Sequence, residues 1–142
     1  MRHPFSKIRV LTPGLAAALT LSAGLAVAQE AKVALTGAEE TPPVATSATG
    51  SGTIKIGKDK AVTGSVTTKG VVATAAHIHL GAAGQSGPPI ITLAKTADDV
   101  WSVPPDAKLT DEQYESYKAG NLYINVHSAE NKKGEIRGQL KP

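Results

Sequence analysis

Leu122-Tyr123-Ile124-Asn125-Val126-His127 alternates an aliphatic side chain with a polar or aromatic one at every step. Successive side chains of an extended strand point to opposite faces. The stretch therefore offers Leu122, Ile124 and Val126 to a core and turns Tyr123, Asn125 and His127 the other way. Ala76-His77-Ile78-His79-Leu80 repeats the arrangement, with His77 and His79 opposite the aliphatic set. Glu135-Ile136-Arg137-Gly138-Gln139-Leu140 does so a third time, with Glu135, Arg137 and Gln139 on the polar side.

Working outward, Lys32–Thr36 also alternates. Thr53–Ile56 and Ala61–Thr67 form a hairpin around the turn Gly57-Lys58-Asp59-Lys60. Ile90–Leu93 and Trp101–Val103 are further short strands. Residues 39–50 are rich in Pro and Thr, and Pro offers no amide to a ladder, so this segment is expected to be extended and weakly paired. One helix is expected near 110–119. Thr110 and Gln113 have capping-box spacing, Tyr114 and Tyr117 share a face, and Gly120 is placed to end it. Many short strands with Gly/Pro punctuation predict an all-β antiparallel β-sandwich, or a barrel-like sheet, of about seven to eight strands.

The first 28 residues read differently. Arg2, Lys7 and Arg9 precede a run of mostly Leu, Ala and Val that closes on Ala26-Val27-Ala28. A charged start, apolar middle and small-residue exit make a secretory signal peptide. After Pro13-Gly14 the apolar stretch is shorter than the roughly 20 residues a bilayer requires. We expect a leader over 1–28 cleaved after Ala28, a domain over 29–142, a periplasmic or secreted location, and no membrane span after cleavage. Of the 15 Lys+Arg, three lie in this leader, so 12 basic residues face 12 acidic ones beyond it. That balance leaves no cationic surface for nucleic acid. With no Cys, thiolate metal sites and cysteine catalysis are excluded.

The polar faces carry the chemistry. His-x-His on a strand projects two imidazoles from one face about 6.5–7 Å apart. His127, from a strand expected alongside, supplies a third and leaves a fourth position open, a nitrogen-rich set suited to Cu²⁺ or Zn²⁺. Tyr123, Asn125 and Glu135 are candidates to orient an imidazole. Glu135 and Arg137 read most simply as an ion pair, and otherwise as anchors of a neighbouring loop. The alternative for the histidines stays open: surface side chains, or His77 and His79 packed on the glycine loop 81–88 without metal.

Four segments together resemble the CHRD domain, named for its repeats in chordin. They are Glu40-Thr41-Pro42-Pro43-Val44 with Ala48-Thr49-Gly50, Ala76 through Pro88, Gly120 through Ser128, and Gly134 through Leu140. The similarity spans about residues 31–141 in the family's order, with Ser128 where Thr is usual and Lys133 where Pro is frequent. The resemblance implies an exported β-rich module and no settled activity.

Catalytic signatures are missing: there is no G-x-S-x-G elbow, no dinucleotide fingerprint before a helix, and no paired strand carboxylates. Three functions remain in play. One is a non-catalytic Cu/Zn-binding domain using His77, His79 and His127. Another is a metal-free interaction module for an envelope protein or polymer. The third is a metal-dependent redox enzyme, similar in architecture to superoxide dismutase.

Overall fold

The computed structural model describes residues 28–142. The expected leader falls, but for Ala28, outside the described residues. Nine strands and one helix follow in order. They are β1 (Gln29–Thr36), a 3-10 turn (Gly37–Glu39), β2 (Thr49–Ile56), β3 (Val62–Lys69), β4 (Ala73–Leu80) and β5 (Pro89–Thr92). Next come β6 (Ala94–Ala97), β7 (Val100–Ser102), α1 (Asp111–Lys118), β8 (Leu122–Ser128) and β9 (Ile136–Leu140).

All strand pairs are antiparallel and belong to one sheet, ordered β5-β4-β8-β9-β1-β2-β3-β7-β6. Its two outermost strands, β5 and β6, are consecutive in the chain and separated by Leu93 alone. The sheet therefore rolls until its edges nearly meet, and Leu93, buried at the joint, donates its N–H to Ala76 O at 2.9 Å. This is the barrel-like form of the expected all-β fold, not two stacked sheets, and it has nine strands rather than seven or eight. The extra strand is β6, which pairs with β7 at the edge.

Alternation explains the interior. Val33 and Leu35, Ile54 and Ile56, Val62 and Val66, Ala76 and Ile78, Leu122 and Ile124, Ile136 and Leu140 all point inward and are buried in one cluster. Burying each large aliphatic side chain contributes about 1.5–3 kcal/mol. The barrel is joined between β9 and β1, where Thr36 faces Arg137. Gly138 is required there, because a Cβ on the core face of β9 would run into Ala34 O of β1.

Helix α1 forms as its caps dictate. Thr110 Oγ1 accepts from Gln113 N–H, Gln113 Oε1 accepts from Thr110 N–H, and Gly120 takes φ +78° just beyond the end. Tyr117 is fully buried and Tyr114 packs beside it. Among the described residues no helix is long and apolar enough to cross a membrane.

The outer face of β4-β8-β9 is not open to solvent, as the polar residue types suggest. Segments 37–48, 81–88 and 129–135 roof it, and His79, Tyr123, Asn125 and Arg137 are all buried. Both faces of these strands are thus largely covered, with His77 and His127 left half-buried at the rim of the outer one. One is a hydrocarbon core, and the other is a polar chamber.

Candidate metal centre

Strand order settles which imidazoles meet. β4 and β8 are neighbours, with His77 opposite Asn125, His79 opposite Tyr123, and Ala75 opposite His127. On the shared outer face His127 is therefore one step diagonal from His77. One ring nitrogen from each of His77, His79 and His127 lies within 4.8 Å of the others. His77 Nδ1 and His127 Nε2 approach to 3.1 Å, and the ring centres of His77 and His79 are 5.6 Å apart. The arrangement brings together all three histidines predicted from sequence.

Backbone carbonyls fix two of the three tautomers. His79 Nδ1–H donates to Gly87 O at 2.9 Å, and His127 Nδ1–H donates to Lys132 O at 2.8 Å. A carbonyl only accepts, so in each neutral ring the proton sits on Nδ1 and the Nε2 lone pair is left for the cluster. A backbone carbonyl behind an imidazole is the usual support of a metal-ligating histidine. Burial lowers the pKa of both His77 and His79 from the ordinary imidazole value. The neighbouring imidazoles lower them further, although the Gly87 bond partly opposes this at His79. Both rings thus favour the neutral form, which offers lone pairs rather than charge.

His79 Nε2 is buried with no hydrogen-bond partner, and so is Asn125 Oδ1. Two unsatisfied acceptors on one face cost about 1–3 kcal/mol each. His79 thus has the loop contact foreseen for a metal-free packing role, but only one of its two nitrogens is used by it.

Around the imidazoles the predicted supporting residues take distinct parts. Tyr123 stacks flat on His79, with ring centres 4.8 Å apart, and its hydroxyl accepts from Gly87 N–H. Arg137 lies over the Tyr123 ring at 3.5 Å. Its guanidinium donates to Gln85 O and Ala82 O at 2.8 and 2.9 Å, and to Gln139 Oε1 at 3.2 Å. Gln139 in turn donates to Gly81 O and Gly120 O. Arg137 and Gln139 therefore clamp the glycine loop whose Gly87 holds His79. Asn125 Nδ2 donates to Lys133 O.

Glu135 and Arg137 do not form the ion pair that their spacing suggests. Glu135 precedes β9 and accepts instead from Asn131 Nδ2 and Thr46 Oγ1, tying two roof segments together, while Arg137 turns to the glycine loop. Loop anchoring is what both residues do.

One residue of the chamber escaped the sequence reading. Glu40 is buried in the Pro/Thr-rich segment, with Oε1 unpartnered. Burial pushes its carboxyl above the usual range, and Arg137 only partly opposes this. Its only sequence signal is its place in the Glu40-Thr41-Pro42 motif. Gly134 makes room for it, since a Cβ there would collide with Glu40 Oε1.

The family model of the CHRD domain matches residues 31–140. The chain belongs to the CHRD domain family. No curated protein and no solved structure matched it. The motif segments of this CHRD domain lie far apart in the chain, yet they converge on one face. Glu40 and Thr41, His77 and His79, Tyr123, Asn125 and His127, and Glu135, Arg137 and Gln139 all belong to the chamber.

Proposed function

We propose that this CHRD domain is an exported, non-catalytic protein that binds one Cu²⁺ or Zn²⁺ ion through His77, His79 and His127. The observation that carries the reading is the convergence of three imidazole nitrogens within 4.8 Å of one another, with the Nδ1 of two rings held by backbone carbonyls. Neutral imidazoles suit borderline divalent metals, while hard cations such as Mg²⁺ and Ca²⁺ want oxygen. In the absence of metal, His77 Nδ1–H donates to the His127 Nε2 lone pair; an ion held by both atoms requires that proton to move to His77 Nε2, so that the ring binds as a neutral imidazole. Export is the reading supported by the leader expected over residues 1–28, and it would put the domain where cytosolic thiols neither reduce Cu²⁺ nor sequester Zn²⁺.

The interaction-module alternative calls for a contiguous apolar patch. Among the described residues Val72 is the large apolar side chain left exposed, which favours the metal reading. The test is elemental analysis of untagged protein after incubation with equimolar Cu²⁺ and Zn²⁺ and desalting. The expected outcome is about one ion per chain, lost in the His77→Ala, His79→Ala, His127→Ala triple variant. Metal-free wild type, or equal uptake by the variant, overturns the reading. N-terminal sequencing of the exported protein, expected to begin at Gln29, tests the leader.

A further inference from the structure

Three imidazoles leave the centre one donor short of the tetrahedral set preferred by Zn²⁺. Two buried oxygens of the chamber are unpartnered: Glu40 Oε1, which lies on the Gly134 side beside the Asn125 nitrogen, and Asn125 Oδ1. Asn125 sits directly across from His77 on the neighbouring strand and two residues before His127, on the same outer face. It is 2% exposed. Its amide has a defined direction: Nδ2 donates to Lys133 O at 3.2 Å, which turns Oδ1 away from the 129–134 roof. Gly134 packs against the same nitrogen, where a Cβ would stand 2.5 Å away. Oδ1 is then a buried acceptor with nothing to accept from.

His79 Nε2, on the same outer face, is also a buried acceptor without a partner. Unpartnered lone pairs gathered on one buried face repel, and a cation among them reverses the sign.

We propose that Asn125 Oδ1 is the fourth protein donor of the metal centre, completing an N₃O set with His77, His79 and His127. The inference rests on the metal reading above and changes the part assigned to Asn125, from orienting an imidazole to binding the ion. Four neutral donors without sulfur fit Zn²⁺ and Cu²⁺, and give the softer Cu⁺ no thiolate or thioether.

The test uses protein expressed from the full chain, stripped with a chelator and loaded with Cu²⁺. Affinity is read by chelator competition, and the number of metal-bound waters by pulsed EPR in isotopically labelled water. Asn125→Leu is expected to weaken binding about 10–100-fold and to add one bound water. Asn125→Asp is expected to bind at least as tightly as wild type, to add no water, and to shift the Cu²⁺ parallel hyperfine splitting, because an anionic oxygen replaces a neutral one. An unchanged water count in the Leu variant means that Asn125 only positions its neighbours, and overturns the proposal. Should that variant not fold, an unchanged spectrum in the Asp variant overturns it equally. Wild type that takes up neither ion defeats the metal reading itself. Metal lost from the triple His variant but bound normally by Asn125→Leu defeats only the fourth donor.

Discussion

His77 and His79 prefer to be neutral in the folded chain, and that preference links the chamber to pH. Their folded-state pKa values lie below the unfolded one of about 6.5. The stability they contribute is therefore present above pH 6.5 and is lost as pH falls from there through the folded values. Glu40 runs the other way. Its raised carboxyl pKa favours the folded state at low pH and opposes it as pH rises through that value. The metal-free protein is expected to show a falling melting temperature between pH 7 and 5.5. His79→Gln should flatten the fall, whereas Glu40→Gln should steepen it by removing the opposing group. Thermal melts at constant ionic strength check this, and a profile flat in wild type removes the linkage. The three histidines are legible in the sequence because alternation assigns them to one face. Gly87 and Lys132 are not, because they act through carbonyls that every residue possesses. Glu40 is not, because an acid beside two prolines looks like any solvated loop acid.

At the scale of elements, β4, β8 and β9 are legible from strict alternation and α1 from its capping box. β6 is invisible because Ala94-Lys95-Thr96-Ala97 has no apolar face to bury, and all four residues are exposed. The clamp on the glycine loop is half legible. The residue types stand out on β9, but their partners, Ala82 O, Gln85 O and Gly81 O, are set by strand order. Arg137 is the centre of that clamp, and its removal leaves buried carbonyls unpaired. Arg137→Ala is expected to destabilise the protein by roughly 3–5 kcal/mol, read from urea unfolding. Arg137→Lys should recover little, because a point charge cannot hold two carbonyls and cover the Tyr123 ring at once. The same variants should weaken metal binding about 10–100-fold, since the loop delivers Gly87 to His79. Full affinity in a stably folded Arg137→Ala protein would separate the clamp from the centre.

The whole molecule couples the two ends of the sheet. Sequence patterning cannot tell a rolled sheet from a stacked pair, since both ask for the same inward faces. The difference lies in one residue, Leu93, joining the outermost strands, and in the β9–β1 seam where Gly138 lets backbones approach. The consequence is a single core cluster that includes Ile78 and Ile124 behind the histidines and also Trp101 on β7, towards the far end of the strand order. One cluster in a domain of this size should unfold in one step. Metal held at 100 times its Kd then stabilises the entire fold by about 2.7 kcal/mol, raising Tm by on the order of 10 °C. Trp101 is the only tryptophan and lies on β7, whereas the imidazoles are carried by β4 and β8, so its fluorescence is an independent witness. Its melting transition should coincide with that seen by circular dichroism and should move with added metal by the same amount. A Trp101 transition that stays put while the dichroism shifts would divide the barrel at the β9–β1 seam, with β4, β5, β8 and β9 folding as a metal-binding unit of their own.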